Sequence, residues 1–309
     1  MNTPTKVAGF VVAIAAVFGI ALGVGKAFGP ESEPAAHGGH TTESSDATKA
    51  AEGETDTPGG LMVSQNGYTF SLADRQAEPG RDVGVSFTID GPDGKPVTDY
   101  DVEHEKRLHL IAVRRDFTGF QHVHPELGSD GTWSTGLDLT PGQWRLFADF
   151  KAADAEALTL GTDLAVDGDY RPEPAGDESR TAQVDGYTVT LEGDLTAGKD
   201  AKLTLDVARD GKPVTDLQPY LGAYGHLVAL RGGDLAYLHV HPDGTPGDGT
   251  TEPGPEVVFH AAVPSDGTYH LYLDFKRDGV VRTAAFTVST GKPAPAEAGK
   301  EESSDGHGH

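Results

Sequence analysis

The chain has 309 residues, room for about two domains of ordinary size, and a formal net charge of −24. Such acidity excludes nucleic acid as a partner, because binding it requires a basic face that neutralises phosphates. The absence of cysteine excludes disulfides, thiolate metal sites and a cysteine nucleophile. Abundant glycine and proline with short apolar runs are typical of β structure.

An uncharged apolar run occupies residues 7–25, directly after Lys6. As a helix it is long enough to span a hydrocarbon core about 30 Å thick. We predict that residues 1–26 are a single-pass anchor in the cell membrane, with the modules that follow on the extracytoplasmic side. A cleaved signal peptide is the alternative, although Ala27-Phe28-Gly29 is a poor cleavage site.

Two polar segments flank the remaining sequence. Residues 27–60 are rich in Glu, Ser, Thr, Gly and Pro, which predicts a disordered acidic linker, and residues 291–309 predict a similar histidine-containing tail. Flexible histidine pairs occur in both, and they either collect metal weakly or are simply solvated. These pairs are His37 with His40 and His307 with His309.

The sequence between these segments repeats one plan. We predict a first module over residues 61–169, a linker over 170–180 and a second module over 181–290. The letters GKPVTD occur in both modules, at residues 94–99 and 211–216. Many short strands separated by turn signals predict an all-β fold of two tandem immunoglobulin-like antiparallel β-sandwiches after an N-terminal transmembrane helix. Each module is expected to fold alone around its own core.

Alternation of apolar and polar residues identifies strands with one buried face. In the first module the apolar positions are Val83, Val85, Phe87 and Ile89, and in the second they are Leu203, Leu205 and Val207. A late strand in each module, residues 144–150 and 269–275, places three apolar side chains on one face. Asp149 and Asp274 then lie on the opposite face.

The most specific pattern is a doubled histidine motif, HLIAVRRDFTGFQHVHP at residues 109–125 and HLVALRGGDLAYLHVHP at 226–242. Residues i and i+2 of a strand share a face, so each HVHP box presents two imidazoles together. These pairs are His122 with His124 and His239 with His241. His109 and His226 lie one strand earlier in a predicted hairpin, where each supplies a third nitrogen to its own module.

Three imidazoles with an optional carboxylate suit Cu(II), Zn(II) or Ni(II), and the lack of thiolates disfavours Cu(I). Asp149 and Asp274 are the candidate carboxylates. Because imidazole binds metal only when neutral, binding is expected to weaken below about pH 6.5. The structural alternative is that each histidine nitrogen bonds a carbonyl or carboxylate. His260 and His270 occur only in the second copy, and we expect them to be exposed strand residues or auxiliary ligands.

The second module carries YLGAYG at residues 220–225, then His226, HVHP and YHLYLDF. In these residues it resembles exported bacterial immunoglobulin-like domains of the YtkA-like or CopC-like kind, which are associated with copper or heavy metals. The first module matches this pattern only from His109 onward. The resemblance implies a sandwich fold and metal chemistry, with Cu(II) first, at the cell surface or in the periplasm.

No enzyme motif is present: the sequence has no GxSxG, HExxH or Walker loop. We therefore predict a non-enzymatic, membrane-tethered exported protein that binds transition-metal ions, Cu(II) first and Zn(II) second, for buffering, delivery or resistance. The alternative is a non-catalytic scaffold or protein-interaction module of the cell envelope, with an envelope protein as partner and with structural histidines.

Overall fold

The computed structural model describes residues 57–174 and 176–291, and every regular element in this part of the chain is a β-strand. These residues all belong to one compact unit. The predicted apolar helix, residues 27–56 of the predicted linker and residues 292–309 of the predicted tail lie outside the described residues. Within the described ranges, no helix has the length and apolar character needed to cross a membrane.

The first module contains ten strands in two sheets. One sheet has the order β1-β2-β4-β8-β7 and the other β3-β10-β9-β5-β6, with β3 parallel to β10. The strands are β1 Ser64–Gln65, β2 Tyr68–Leu72, β3 Gln76–Ala77, β4 Gly80–Asp90, β5 Leu108–Arg114, β6 Gln121–Val123, β7 Glu126–Leu127, β8 Trp133–Leu139, β9 Gly142–Phe150 and β10 Leu158–Val166.

The second module contains nine strands, again in two sheets. One has the order β11-β12-β13-β17-β16 with β14 beside β13, and the other β15-β18-β19. The strands are β11 Thr181–Val184, β12 Tyr187–Glu192, β13 Lys199–Arg209, β14 Lys212–Pro213, β15 His226–Arg231, β16 Val240–Pro242, β17 Glu256–Val263, β18 Thr268–Arg277 and β19 Val280–Ser289. The prediction of two tandem all-β sandwiches is confirmed.

Each module buries the alternating row that its sequence predicts. Phe87 and Ile89 on β4 are completely buried, and so are Leu205 and Val207 on β13. These side chains fill the space between the two sheets of their own module, as in a sandwich with one inward face per sheet. Period-2 patterning therefore accounts for both intramodular cores.

A third apolar cluster lies between the modules. All seven residues of β5 are buried: Leu108, Leu110 and Ala112 face the core of the first module, whereas Ile111 and Val113 face the second module. We call this third group the interface cluster. It consists of Ile111, Val113, Phe147, Val228, Leu230, Leu235, Tyr237 and Tyr272, with Phe117 and Phe120 packed against it. The sheets β3-β10-β9-β5-β6 and β15-β18-β19 thus pack against each other through their outer faces.

Polar and aromatic contacts fix the orientation of this interface. The Tyr272 ring stacks on Phe120 at a centroid distance of 4.0 Å, and its hydroxyl donates a hydrogen bond to the Phe117 carbonyl at 2.7 Å. At the entry to the first module, the Tyr237 amide donates to the Gly59 carbonyl at 2.9 Å. The sequence predicts two cores joined by a linker, and the structure adds a third core that both modules share.

Candidate metal centre

Strand pairing brings three histidines of the first module together. β6 folds back on β5 in the predicted hairpin, with His122 opposite Ile111. Cross-strand neighbours and residues two apart in a strand share a face, so His109, His122 and His124 all lie on the side of β5 that faces the second module. One nitrogen from each of the three lies within 4.8 Å of the other two, and this is the only such group of metal-binding side chains in the described ranges.

The outer partners of two of these rings fix which nitrogen carries the proton. His109 Nε2 lies 3.1 Å from the carbonyl oxygen of Glu103, which can only accept, so Nε2 donates. His122 Nδ1 lies 2.9 Å from Oδ2 of Asp274, so Nδ1 donates to the carboxylate. In the neutral rings this leaves bare lone pairs on His109 Nδ1 and His122 Nε2, which face each other at 3.1 Å.

The second module supplies the remaining walls of the site. His226, the equivalent of His109, stacks on the His109 ring with centroids 5.6 Å apart, and its centroid lies 4.6 Å from that of His122. His226 Nδ1 and His124 Nε2 are buried, and neither makes a hydrogen bond to any described residue. We call His109, His122, His124 and His226 the histidine cluster. It is an intermodular site, because its members come from both sandwiches.

Burial keeps three of the four rings of this cluster uncharged, those of His109, His124 and His226. Removal from water, followed by repulsion from His122, lowers the pKa of His109 to about 4. The same two causes, together with repulsion from His109, lower the pKa of His124 to about 3. Burial lowers the pKa of His226 well below its ordinary value. At neutral pH these three imidazoles are therefore in the form that binds metal.

The two predicted carboxylates occupy different environments. Asp149 is opposite His109 in the β5–β9 register, and Asp274 is opposite His226 in the β15–β18 register. Asp274 accepts from His122 and, through Oδ1, from Thr283 at 2.6 Å, so it orients a histidine from outside the cluster. Asp149 accepts from Thr159 at 3.0 Å, and burial raises its pKa.

The prediction of an equivalent three-histidine site within the second module is wrong. Its HVHP box does not pair with β15: β16 pairs with β17, which places His241 opposite His260. The hydrogen bonds to β15 stop at Leu238, and the His239 carbonyl already accepts from Ala262 of β17. In the first module, by contrast, β6 stays beside β5 through Val123. His239 and His241 remain neighbours, with ring centroids 4.0 Å apart, but both are exposed.

Of the two histidines unique to the second copy, His260 is exposed, as expected. The expectation for His270 is wrong: it is buried, stacks on Phe117 at 3.8 Å and lies within hydrogen-bonding distance of the Thr287 hydroxyl. The apolar alternation of β18 does not predict this burial, because His270 is buried by Phe117, a residue of the first module.

A further histidine near the cluster, His104, is not predicted from the sequence and lies in the turn before β5. Its ring centroid is 6.1 Å from that of His109 and 6.0 Å from that of His226. Together with His109, His226, His239 and His241 it lines a cavity of about 160 Å³. The repeat gives no signal for His104, because the second module has the same turn between Tyr220 and Ala223 but carries Leu221 at the equivalent position.

The chain belongs to a family defined by a domain of unknown function (DUF8832), whose model matches it twice, over residues 63–168 and 182–292. No curated protein matches the chain. The family match gives both modules one domain type, and it does not connect them to a copper-handling family.

Several solved structures are similar to the chain at low identity. The Escherichia coli adhesin FdeC is 15% identical over 72% of this chain and 64% of its own, with a TM-score of 0.23. The adhesin InvE of Yersinia pseudotuberculosis is 12% identical over 73% and 60%, with a TM-score of 0.22. A putative membrane anchored protein from Corynebacterium diphtheriae is 11% identical over 75% and 60%, with a TM-score of 0.23. The chain spans less than two thirds of each of these proteins, and TM-scores this low carry no functional argument.

Proposed function

We propose that the protein binds one divalent transition-metal ion, Cu(II) first and Zn(II) as the alternative, in the histidine cluster between its modules. His109 Nδ1, His122 Nε2 and one nitrogen of His124 are the ligands, and His226 is the adjacent fourth imidazole. The observation that carries the proposal is the pair of lone pairs that face each other at 3.1 Å. Two bare nitrogens repel each other unless a cation lies between them.

The spacing of these nitrogens fits a metal. With metal–nitrogen bonds of about 2.0–2.1 Å, two ligands lie about 2.9 Å apart in a square-planar site and about 3.3 Å apart in a tetrahedral one. The observed 3.1 Å lies between these values. A proton on either nitrogen is the competing cation, and the lowered pKa of His109, about 4, disfavours it on Nδ1 of that ring at neutral pH. At His109, bound metal would therefore compete with protons nearer pH 4 than pH 6.5.

The surroundings of the cluster also support metal binding. Histidines that bind metal generally donate their second N–H to a carboxylate or a backbone carbonyl, and Asp274 and Glu103 provide one of each here. The unpaired nitrogens of His124 and His226 are costly in a metal-free protein and are satisfied by an ion. All of the donors are imidazole nitrogens or carboxylates, which Cu(II) and Zn(II) accept.

The proposed cellular role is buffering, delivery or resistance outside the cytoplasm, without catalysis. The location rests on the apolar run at residues 7–25, which we propose to be a membrane anchor, and on the resemblance to YtkA-like and CopC-like domains. The net charge of −24 favours a protein that attracts cations.

A second candidate function is a non-catalytic envelope scaffold in which the histidines are structural. The observation in its favour is the His122–Asp274 pair, which joins the two modules at 2.9 Å with both side chains almost completely buried. In this account the cluster fixes the angle between the sandwiches, and an envelope protein is the partner.

Calorimetric titration of the metal-free full chain with Cu(II) and Zn(II) tests the proposal. The parent protein carries alanine in place of the four histidines outside the described residues, His37, His40, His307 and His309. We expect one tight equivalent, which His122→Ala with His124→Ala removes. His260→Ala, an exposed histidine outside the cluster, is the matched control and keeps it. If the double variant binds as the parent does and only loses stability, the scaffold account replaces ours.

A further inference from the structure

Strand β19 is the longest open sheet edge in the described part of the chain. The edge strands β1, β3, β6, β7, β11 and β16 have two to four residues each, whereas β19 has ten. The outer edge of β15 is covered, because the Leu238 amide donates to the Ala229 carbonyl and the Arg231 amide donates to the Ala236 carbonyl. Natural proteins usually keep sheet edges short or covered, because unpaired backbone groups recruit another strand.

Backbone groups in the middle of β19 have no partner on this edge among the described residues. Ser179 exchanges two backbone hydrogen bonds with Thr287, of 2.8 and 3.3 Å, so the N–H and C=O groups of Thr287 point away from β18. This direction alternates along an antiparallel strand, and therefore Val281, Thr283 and Ala285 also direct their backbone groups outward. The side chains of these three residues are exposed. We call the stretch from Val281 to Ala285 the open edge.

The first module covers the equivalent edge with its own chain. Thr159 on β10 corresponds to Thr283, since each lies opposite an aspartate that accepts a hydrogen bond from its hydroxyl. The Gly60 amide donates to the Thr159 carbonyl at 2.7 Å, and the Gly161 amide donates to the Met62 carbonyl at 2.9 Å. A segment at the start of the first module therefore lies along β10 as an added strand.

The segment before the second module takes a different path and leaves β19 uncovered. The Glu173 amide donates to Asp116 Oδ2 at 2.9 Å, which holds this segment on the first module. The segment reaches β19 only at Ser179, and β11 then pairs with β12 in the other sheet. The sheet of the first module ends at β6, and the bond between His122 and Asp274 places β18 over that strand. The open edge lies one strand further out.

We infer that two copies of this chain form a two-fold dimer in which their open edges pair antiparallel, so that the two β15-β18-β19 sheets become one continuous sheet. A two-fold axis at Thr283 places this residue opposite its own copy and Val281 opposite Ala285. This register allows about six backbone hydrogen bonds between the copies. Ser179 ends the pairing, because it occupies the edge at Thr287.

The chemistry of the open edge favours a second copy as its occupant. Its one charged residue, Arg282, forms an ion pair with Asp185 at 3.3 Å and lies over the Tyr187 ring of its own module. The outward side chains are uncharged, so two copies of an acidic protein meet here without local repulsion. Edge strands that avoid their own copy usually carry Lys or Pro, and β19 has neither.

The segments on either side of the described residues also favour a second copy. The proposed membrane anchor and its linker hold many copies in one membrane, which raises their effective concentration. The tail that follows β19 is a poorer occupant, because Pro293 and Pro295 lack the N–H groups that a paired strand donates.

Sedimentation equilibrium of the metal-free full chain in density-matched detergent tests the dimer. We expect a dimeric parent. Ala285→Pro removes an outward N–H and should weaken dimerisation by about tenfold or more, because two hydrogen bonds between the copies are lost. Val281→Lys places a charge on the open edge and should act in the same direction. Val102→Lys changes an exposed valine of the first module, and this matched control should stay dimeric.

Cysteine variants test the register, because the chain has no cysteine of its own. Val281→Cys co-expressed with Ala285→Cys should form an intermolecular disulfide, since paired residues have Cα atoms about 5.5 Å apart. Neither variant should do so alone, because like positions lie about 13 Å apart. A monomeric parent overturns the inference, as does a dimer that both Val281→Lys and Ala285→Pro leave intact. A parent that dimerises only after removal of residues 292–309 assigns the open edge to the tail and also overturns it.

Discussion

Equivalent residues of the two modules make different contacts at the domain interface. His109 has both ring nitrogens engaged, one by the Glu103 carbonyl and one facing His122. Its counterpart His226 stacks on it, and His226 Nδ1 has no partner among the described residues. Asp274 accepts a hydrogen bond from His122 of the other module, whereas Asp149 accepts one from Thr159 of its own module. The duplicated motif therefore builds one shared site and not two copies.

His124→Leu separates a ligand from a structural histidine. His124 Nε2 is buried without a partner in the described structure, and such an atom costs about 1–3 kcal/mol. We expect the metal-free variant to have an unchanged or higher free energy of unfolding in urea, and to lose tight Cu(II) binding. His122→Leu, which removes the bond to Asp274, is the control and should be destabilising. A large stability loss in His124→Leu would speak for a structural role.

Metal-free stability should depend on pH in a defined window. His109 and His124 have folded-state pKa values of about 4 and about 3, below the unfolded value of about 6.5. The unfolded chain therefore binds more protons between these limits, so stability is complete above pH 6.5 and falls as the pH drops toward 4. Urea unfolding between pH 4 and 8 measures this, and saturating metal should flatten the curve. A flat metal-free curve would contradict the burial of neutral imidazoles.

At the scale of elements, pattern reasoning predicts the strands but not all of their neighbours. The alternation on β4 and β13 identifies one buried face correctly. On β5 the apolar run from Leu108 to Val113 is almost continuous, which is typical of a strand buried on both faces, and this signal was available in the sequence. The sequence alone could not predict that β16 pairs with β17, because both modules carry the same HVHP motif. The partner of so short a strand depends on tertiary context.

Phe147 on β9 should behave as a core residue although it faces the other module. It is completely buried in the interface cluster, next to Tyr237 at a centroid distance of 5.6 Å. Phe147→Ala is expected to cost about 3–5 kcal/mol in thermal or urea unfolding. Leu146→Ala, its neighbour in the intramodular core, is the matched comparison and should cost about 2–5 kcal/mol. A cost well below 1 kcal/mol at Phe147 would mean that the modules separate easily.

At the scale of the whole molecule, the two sandwiches share a core, so their folding should be coupled. The repeat in the sequence predicts the tandem arrangement. It does not predict the interface, because the outer face of each sandwich is buried only by residues of the other module. Lys, Glu and Asp rarely occupy such faces, and the residues of the interface cluster are all apolar or aromatic. Both predicted modules belong to one compact unit, and we expect them to unfold together.

Calorimetric melting of the metal-free full chain should show one cooperative transition, because separation of the modules would expose the interface cluster and the histidines together. One equivalent of Cu(II) or Zn(II) should raise the melting temperature, since an ion that binds only the folded state stabilises it. His260→Ala should respond to metal as the parent does. Two well-separated transitions, with metal acting on neither, would refute the coupling.

Anomalous X-ray diffraction from crystals of the full chain loaded with one equivalent of Cu(II) or Zn(II) tests the central claim most directly. We predict one strong peak between the modules, about 2.0–2.1 Å from His109 Nδ1 and His122 Nε2, with His124 as a third ligand. A peak confined to other histidines, or an empty cluster in which these two nitrogens still face each other at 3.1 Å, would contradict the account.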